Sequence, residues 1–178
     1  MIVVLMGVCG SGKTKVGRAL AREIGWPFLD ADDFHPEANV AKMAAGVPLT
    51  DDDRWPWLDR LVSETAAIGA RGGHAVLACS ALKQAYRDRL ARAGNVRFVY
   101  LKGDRAAIEP RVASRKSHYM PASLLASQFA TLEEPVDATV VDIRLPLAAK
   151  LQTIRAQLKL AAGDRQADLA TSITQGTP

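Results

Sequence analysis

The run IVVLMGVCGSGKT, residues 2–14, constrains the fold more than any other stretch of this chain. Residues 2–6 are a short apolar, β-rich segment, the pattern of a strand buried on both faces of a parallel sheet. GVCGSGKT, residues 7–14, then matches G-x-x-x-x-G-K-[ST] in full. Behind it Val16, Leu20 and Ile24 recur at i, i+4 and i+8, as on one face of a helix. Strand, glycine-rich turn and helix in that order form a phosphate cradle. Gly7, Gly10 and Gly12 let backbone N–H groups turn inward around phosphate oxygens, with Val8, Cys9 and Ser11 completing the loop. The helix N-terminus adds its positive end. Lys13 can reach the β- and γ-phosphates of a nucleotide, and the Thr14 hydroxyl can ligate Mg²⁺. Cys9 reads as a small filler inside the loop.

Further strand candidates are 26–30, 75–79, 96–101 and 138–143. Helical patterns lie at roughly 53–70, 83–93, 104–114, 121–132 and 146–160. Strands alternating with helices predict an α/β layer fold with a mainly parallel sheet, whose ligands bind beyond the carboxyl ends of the strands. At 178 residues and 48% hydrophobic, the chain suits a single domain with one core, here residues 1–160. Residues 161–178 turn small and polar and read as a flexible tail. The net charge of +4 is spread along the chain, which gives generic nucleic-acid binding little support and leaves a basic site for a small anion plausible. Two cysteines and three histidines make neither a disulfide scaffold nor a structural zinc site. The apolar N-terminal run is too short to span a membrane and lacks a basic leader, so the expected location is the cytoplasm.

The segment DADDFHP, residues 30–36, packs three carboxylates and a histidine behind the second strand. GTPase switches and motor ATPases usually carry an apolar strand ending in an aspartate that helps hold Mg²⁺. AVLAC, residues 75–79, runs into Cys79-Ser80 with no acid. Asp30 or Asp32 is then the better carboxylate partner for the metal. One of the pair can steady the Mg²⁺ shell, and the other can accept the proton of a substrate hydroxyl. A capping role is also open, with Asp32 or Asp33 starting a helix at 36–45 and Pro36 at its first position. Asp51, Asp52 and Asp53 read as the N-cap region of the 53–70 helix, and Trp55 and Trp57 as core or wall.

These stretches together resemble the gluconokinase family, of the thermoresistant type built on a shikimate-kinase-like P-loop fold. The resemblance runs through GVCGSGKT (7–14), DADDFHPEANVAKMAAGVPLTDDDRWPWL (30–58), ACSALKQAYRDRL (78–90), RKSHYMP (115–121) and LLASQFATLEEP (124–135). It implies ATP- and Mg²⁺-dependent phosphorylation of D-gluconate at its 6-hydroxyl. It also implies a three-layer fold whose five parallel strands run in the order 2-3-1-4-5, a mobile lid at about 111–135, and a homodimer. Within that frame Asp30 and Thr14 serve the metal, and Lys13, Asp32 and Arg115 the chemistry. Arg54, Lys83, Arg87, His118 and Gln128 are the candidates to grip the acid sugar. Lys83 and Arg87, four apart, are expected on one helix face. Arg111 and Arg144 are placed against the nucleotide, and Glu133-Glu134-Pro135 at the lid's return. Another small-molecule kinase of the same fold is the nearest rival. A nucleotide-dependent switch protein without a sugar substrate is the rival of another class.

Overall fold

In the computed structural model, residues 1–114 and 122–161 are described, and five parallel strands form one sheet in the order β2-β3-β1-β4-β5. The strands are β1 (Ile2–Met6), β2 (Phe28–Asp30), β3 (Ala75–Ala78), β4 (Val96–Lys102) and β5 (Thr139–Asp142). The helices are α1 (Lys13–Ile24), α2 (Glu37–Ala44), α3 (Asp51–Ala70), α4 (Gln84–Ala91), α5 (Arg105–Ala113), α6 (Ala122–Thr131) and α7 (Leu147–Leu158). The expected fold class and strand order are both met. β1 lies at the centre, between β3 and β4, with Val4 opposite Leu77 on one side and Phe98 on the other.

The all-apolar β1 follows from its central place. Side chains alternate across a strand, so both faces of IVVLM must be covered. Val3 and Leu5 enter one core cluster with Val16, Leu20 and Ile24 of α1, Ile108 and Val112 of α5, Leu125 of α6 and Ile154 of α7. Ile2, Val4 and Met6 enter the other with Trp57, Leu58 and Leu61 of α3 and Tyr86 and Leu90 of α4. The result is helices, sheet, helices. All five carboxyl-terminal strand ends open on the same edge, where residues 7–12, 31–34 and 79–83 meet.

Two helix starts differ from the sequence expectation. α3 begins at Asp51, and Thr50 is its cap. The Thr50 hydroxyl accepts from Asp53 N–H, and the Asp53 carboxylate accepts from Thr50 N–H at 2.9 Å, a reciprocal capping box. Lys42 adds an ion pair to Asp53 at 2.6 Å. With these donors the Asp53 carboxyl falls to about 2. Pro56 consequently lies in the second turn of the helix. Thr50→Ala should cost about 1 kcal/mol in thermal unfolding, since one orphan N–H of α3 loses its acceptor.

At DADDFHP, the strand ends at Asp30 and the chain closes at once into a 3₁₀ turn, Ala31–Phe34. Asp30, rather than Asp32 or Asp33, is the capping residue there: its carboxylate accepts from Asp32 N–H at 3.4 Å. Pro36 precedes α2 as its cap instead of occupying its first position.

Candidate active site

The phosphate loop has the backbone its sequence demands. Gly7, Gly10 and Gly12 have φ of 137°, 84° and 95°. A Cβ on Gly10 would stand 2.7 Å from Val112 Cγ2, so α5 packs directly against the loop. Gly7 N–H donates to Ser80 O, which ties the loop to the end of β3. Lys13 Nζ bridges the loop by donating to Gly7 O at 3.0 Å and Val8 O at 3.2 Å. Burial lowers the pKa of this ammonium, while the charges of Asp32 and Asp30 act in the opposite sense. Ser11 Oγ is buried with no hydrogen-bond partner among the described residues. Left-handed glycines at the turn, a half-buried ammonium and an orphan hydroxyl fit a polyphosphate, whose oxygens supply the missing acceptors.

Beside the loop, Thr14 Oγ1 donates to Asp30 Oδ2 at 3.0 Å. A hydroxyl and a carboxylate side by side fit Mg²⁺, which takes few protein ligands, keeps several waters and completes its shell with substrate phosphates. Among the described residues no group of three or more His, Cys, Asp and Glu could hold a metal. Asp32 lies on the 3₁₀ turn. Burial first, and the Asp30 charge second, raise its carboxyl above the ordinary aspartate value; Lys13 and His35 pull the other way.

A second polar group lies between α3 and the start of α4. Asp51 accepts two bonds from Lys83 Nζ, at 2.8 and 2.6 Å, and one from the Tyr86 hydroxyl. Arg54 Nη1 donates to Leu49 O at 2.6 Å and to Tyr86 Oη at 3.4 Å, with Asp51 at 3.9 Å. His35 stacks on Trp57 with ring centroids 4.3 Å apart, and Trp57 Nε1 in turn donates to Ala31 O. The tryptophan therefore fixes the turn that carries Asp32. Burial lowers the His35 pKa, with the Asp32 charge acting to raise it and the Arg54 charge to lower it.

Lys83 and Arg87 do not share a helix face. Lys83 is the extended cap residue of α4 and reaches across to Asp51. Arg87 is 3% exposed and folds back beneath the same loop, donating to Ala81 O at 2.9 Å and Leu82 O at 3.0 Å. Ala81 has a φ of 44°, so the arginine braces a strained turn. Arg87→Met should lower stability by about 2–3 kcal/mol in denaturant titration, because charged donors to two buried carbonyls are lost.

The other expected residues divide as follows. Arg111 Nη2 donates to Ile143 O at 2.9 Å, joining α5 to the turn after β5. Arg144 in that turn pairs with Asp104, and its backbone N–H donates to Asp142 Oδ1 at 2.7 Å. Glu133 accepts from Gln84 N–H at 2.5 Å, and Glu134 pairs with Lys102. Gln128 Oε1 accepts the Cys9 N–H at 2.7 Å, so it touches the phosphate loop. Arg115 and His118 lie outside the described residues, as does the tail from residue 162. Asp51, read from sequence as part of a helix cap, and Tyr86, given no role there, make up this polar group, with His35 of DADDFHP stacked nearby on Trp57. The spacings Asp51-x-x-Arg54 and Lys83-x-x-Tyr86 were the available signal. A cleft of about 350 Å³ opens at the opposite end of the strands, between Met1, Gly73, His74 and Asn95. It lies away from the phosphate loop, off the ligand edge of the sheet.

A domain family described as an AAA domain matches residues 2–135. The chain is 46% identical over 151 residues to the thermoresistant gluconokinase of Escherichia coli K12, covering 82% of this chain and 86% of that one. The chain belongs to the gluconokinase family. Solved structures in the same family range agree. A sugar kinase from Janibacter sp. HTCC2649, unliganded, superposes with a TM-score of 0.84 at 44% identity, over 90% of this chain and 95% of that one. A gluconokinase from Sinorhizobium meliloti 1021 does so with 0.80 at 42% identity, over 88% and 90%. Gluconokinase-family membership removes the switch protein from consideration. Among the described residues no helix is long and apolar enough to cross a membrane.

Proposed function

We propose that this protein transfers the γ-phosphoryl group of ATP to the 6-hydroxyl of D-gluconate, giving 6-phospho-D-gluconate and ADP. The observation that carries the reading is the placement of the Asp30–Asp32 pair. Asp30 adjoins the Thr14 hydroxyl beside the phosphate loop, and Asp32, on the turn that Asp30 caps, is near enough to Lys13 for the two charges to act on one another.

The roles follow from the chemistry of each group. Residues 7–14 hold the polyphosphate. Thr14 and Asp30 would hold Mg²⁺, which when bound neutralises charge on the β- and γ-oxygens. Asp32, its pKa raised by burial, accepts the hydroxyl proton and aims the oxygen for in-line attack. Arg54 and Lys83 face the carboxylate and hydroxyls of the acid sugar, with Asp51 and Tyr86 setting their positions. Arg87 supports the loop that carries Lys83 rather than reaching the sugar. Lys13 draws off the charge that develops on the transferring group. Arg111 and Arg144 flank the nucleotide base, and Arg115 and His118 are assigned to a lid at about 111–135 that excludes water during transfer. The family resemblance further supports a homodimer in the cytoplasm, which light scattering and cell fractionation check.

Phosphorus NMR of the product tests the regiochemistry. A phosphate on the primary 6-hydroxyl couples to two methylene protons and gives a triplet. A doublet would mean a secondary ester, and would place a different hydroxyl against Asp32.

A further inference from the structure

Gln128 is 119 residues from Cys9 in sequence, yet its side-chain amide oxygen takes the Cys9 N–H at 2.7 Å. That N–H belongs to the loop whose amides are the anion donors of the site. The element behind Gln128 is fixed: Leu125, one turn earlier on α6, is 2% exposed and lies in the core cluster that contains Val8, Ile108 and Val112. The neighbouring loop residue, Gly10, is in contact with Val112 of α5. The two helices that flank residues 115–121 thus rest on adjacent residues of the phosphate loop, α6 through a hydrogen bond and α5 through packing.

From this contact we infer that Gln128 is a positioning residue for the nucleotide rather than a ligand of the sugar. Its neutral amide oxygen occupies a loop donor that a phosphate oxygen, carrying charge, takes more strongly. Nucleotide arrival exchanges one acceptor for the other and frees the Gln128 side chain from the loop. The hydrogen bond thereby links phosphate occupancy to the Gln128 side-chain position, while α6 stays docked through Leu125. The inference rests on the reading of residues 7–14 as the nucleotide site.

The test is ADP and ATP binding by calorimetry without any sugar, on the full chain, for wild type, Gln128→Glu and Gln128→Ala. A carboxylate at 128 keeps an acceptor for Cys9 N–H and adds a charge that repels phosphate. Gln128→Glu should therefore weaken ADP binding at least tenfold, and Gln128→Ala should leave it equal or tighter. The gluconate KM at saturating ATP should change less than threefold in Gln128→Ala. Unchanged ADP affinity in both variants, with a gluconate KM raised tenfold or more, would overturn the inference and return Gln128 to the sugar. Failure of the wild type to bind either nucleotide would instead overturn the nucleotide-site reading itself. Circular dichroism melts of both variants separate these outcomes from a folding defect.

Discussion

Asp32→Asn should lower kcat by about 10²–10⁴-fold, the usual worth of a positioned general base. ATP affinity should change little, because the phosphates are held by residues 7–14. The variant should be at least as stable as wild type at neutral pH, any gain being small because Asp32 is exposed. The folded-state pKa of Asp32 is raised, by burial first and by Asp30 second. Such a group costs stability as pH rises through the interval between its unfolded and folded values, and a neutral amide removes that cost. Lost turnover without a lower melting temperature is hard to produce by misfolding, so the pair of readings is diagnostic. The same shift sets the pH profile. A base works deprotonated, so activity is present above its pKa and lost as pH falls through it. The acid limb of kcat/KM should therefore lie above the range of an exposed aspartate. Asp30→Asn, which removes the second cause, should move that limb to lower pH.

Lys13→Met should lower kcat by about 10²–10³-fold, the cost of removing one preorganised group from developing charge. Here the ATP KM should rise too, since Lys13 also bridges the loop through Gly7 O and Val8 O. Lys13→Arg should not restore activity. A guanidinium is a planar fork, and the position requires a compact ammonium that makes two bonds to loop carbonyls in a half-buried space. Recovery to near wild-type turnover in Lys13→Arg would show that only the charge matters there.

The parts of the site that could be read from sequence are those encoded locally. GVCGSGKT carries its own conformation in its glycines and its context in β1 and α1. The Thr14–Asp30 pair was also legible, because a residue closing β2 must emerge at the same sheet edge as a loop closing β1. Capping was harder, since several Asp and Thr residues compete within a few positions. Thr50 rather than an aspartate starts α3, and Asp30 caps a 3₁₀ turn that period-2 reasoning treats as extended strand. Lys83 and Arg87 show a sharper limit. Beginning α4 at Gln84 leaves Lys83 as an extended cap, and that one-residue difference gives the two cations different partners, Asp51 for Lys83 and the Ala81 and Leu82 carbonyls for Arg87. The Gln128–Cys9 bond joins elements 119 residues apart and leaves no periodic trace. It follows from α6 and α5 packing against the phosphate loop, which only the tertiary fold determines.

The most direct measurement is ADP release by purified protein with Mg²⁺ and ATP across a panel of acceptors: D-gluconate, shikimate, 2-keto-gluconate, glucose, a nucleoside and none. The account predicts rapid turnover with D-gluconate and background rates with the rest. Turnover that favours another acceptor, or that proceeds equally without one, would contradict the assignment of Asp32, Arg54 and Lys83 to a gluconate site.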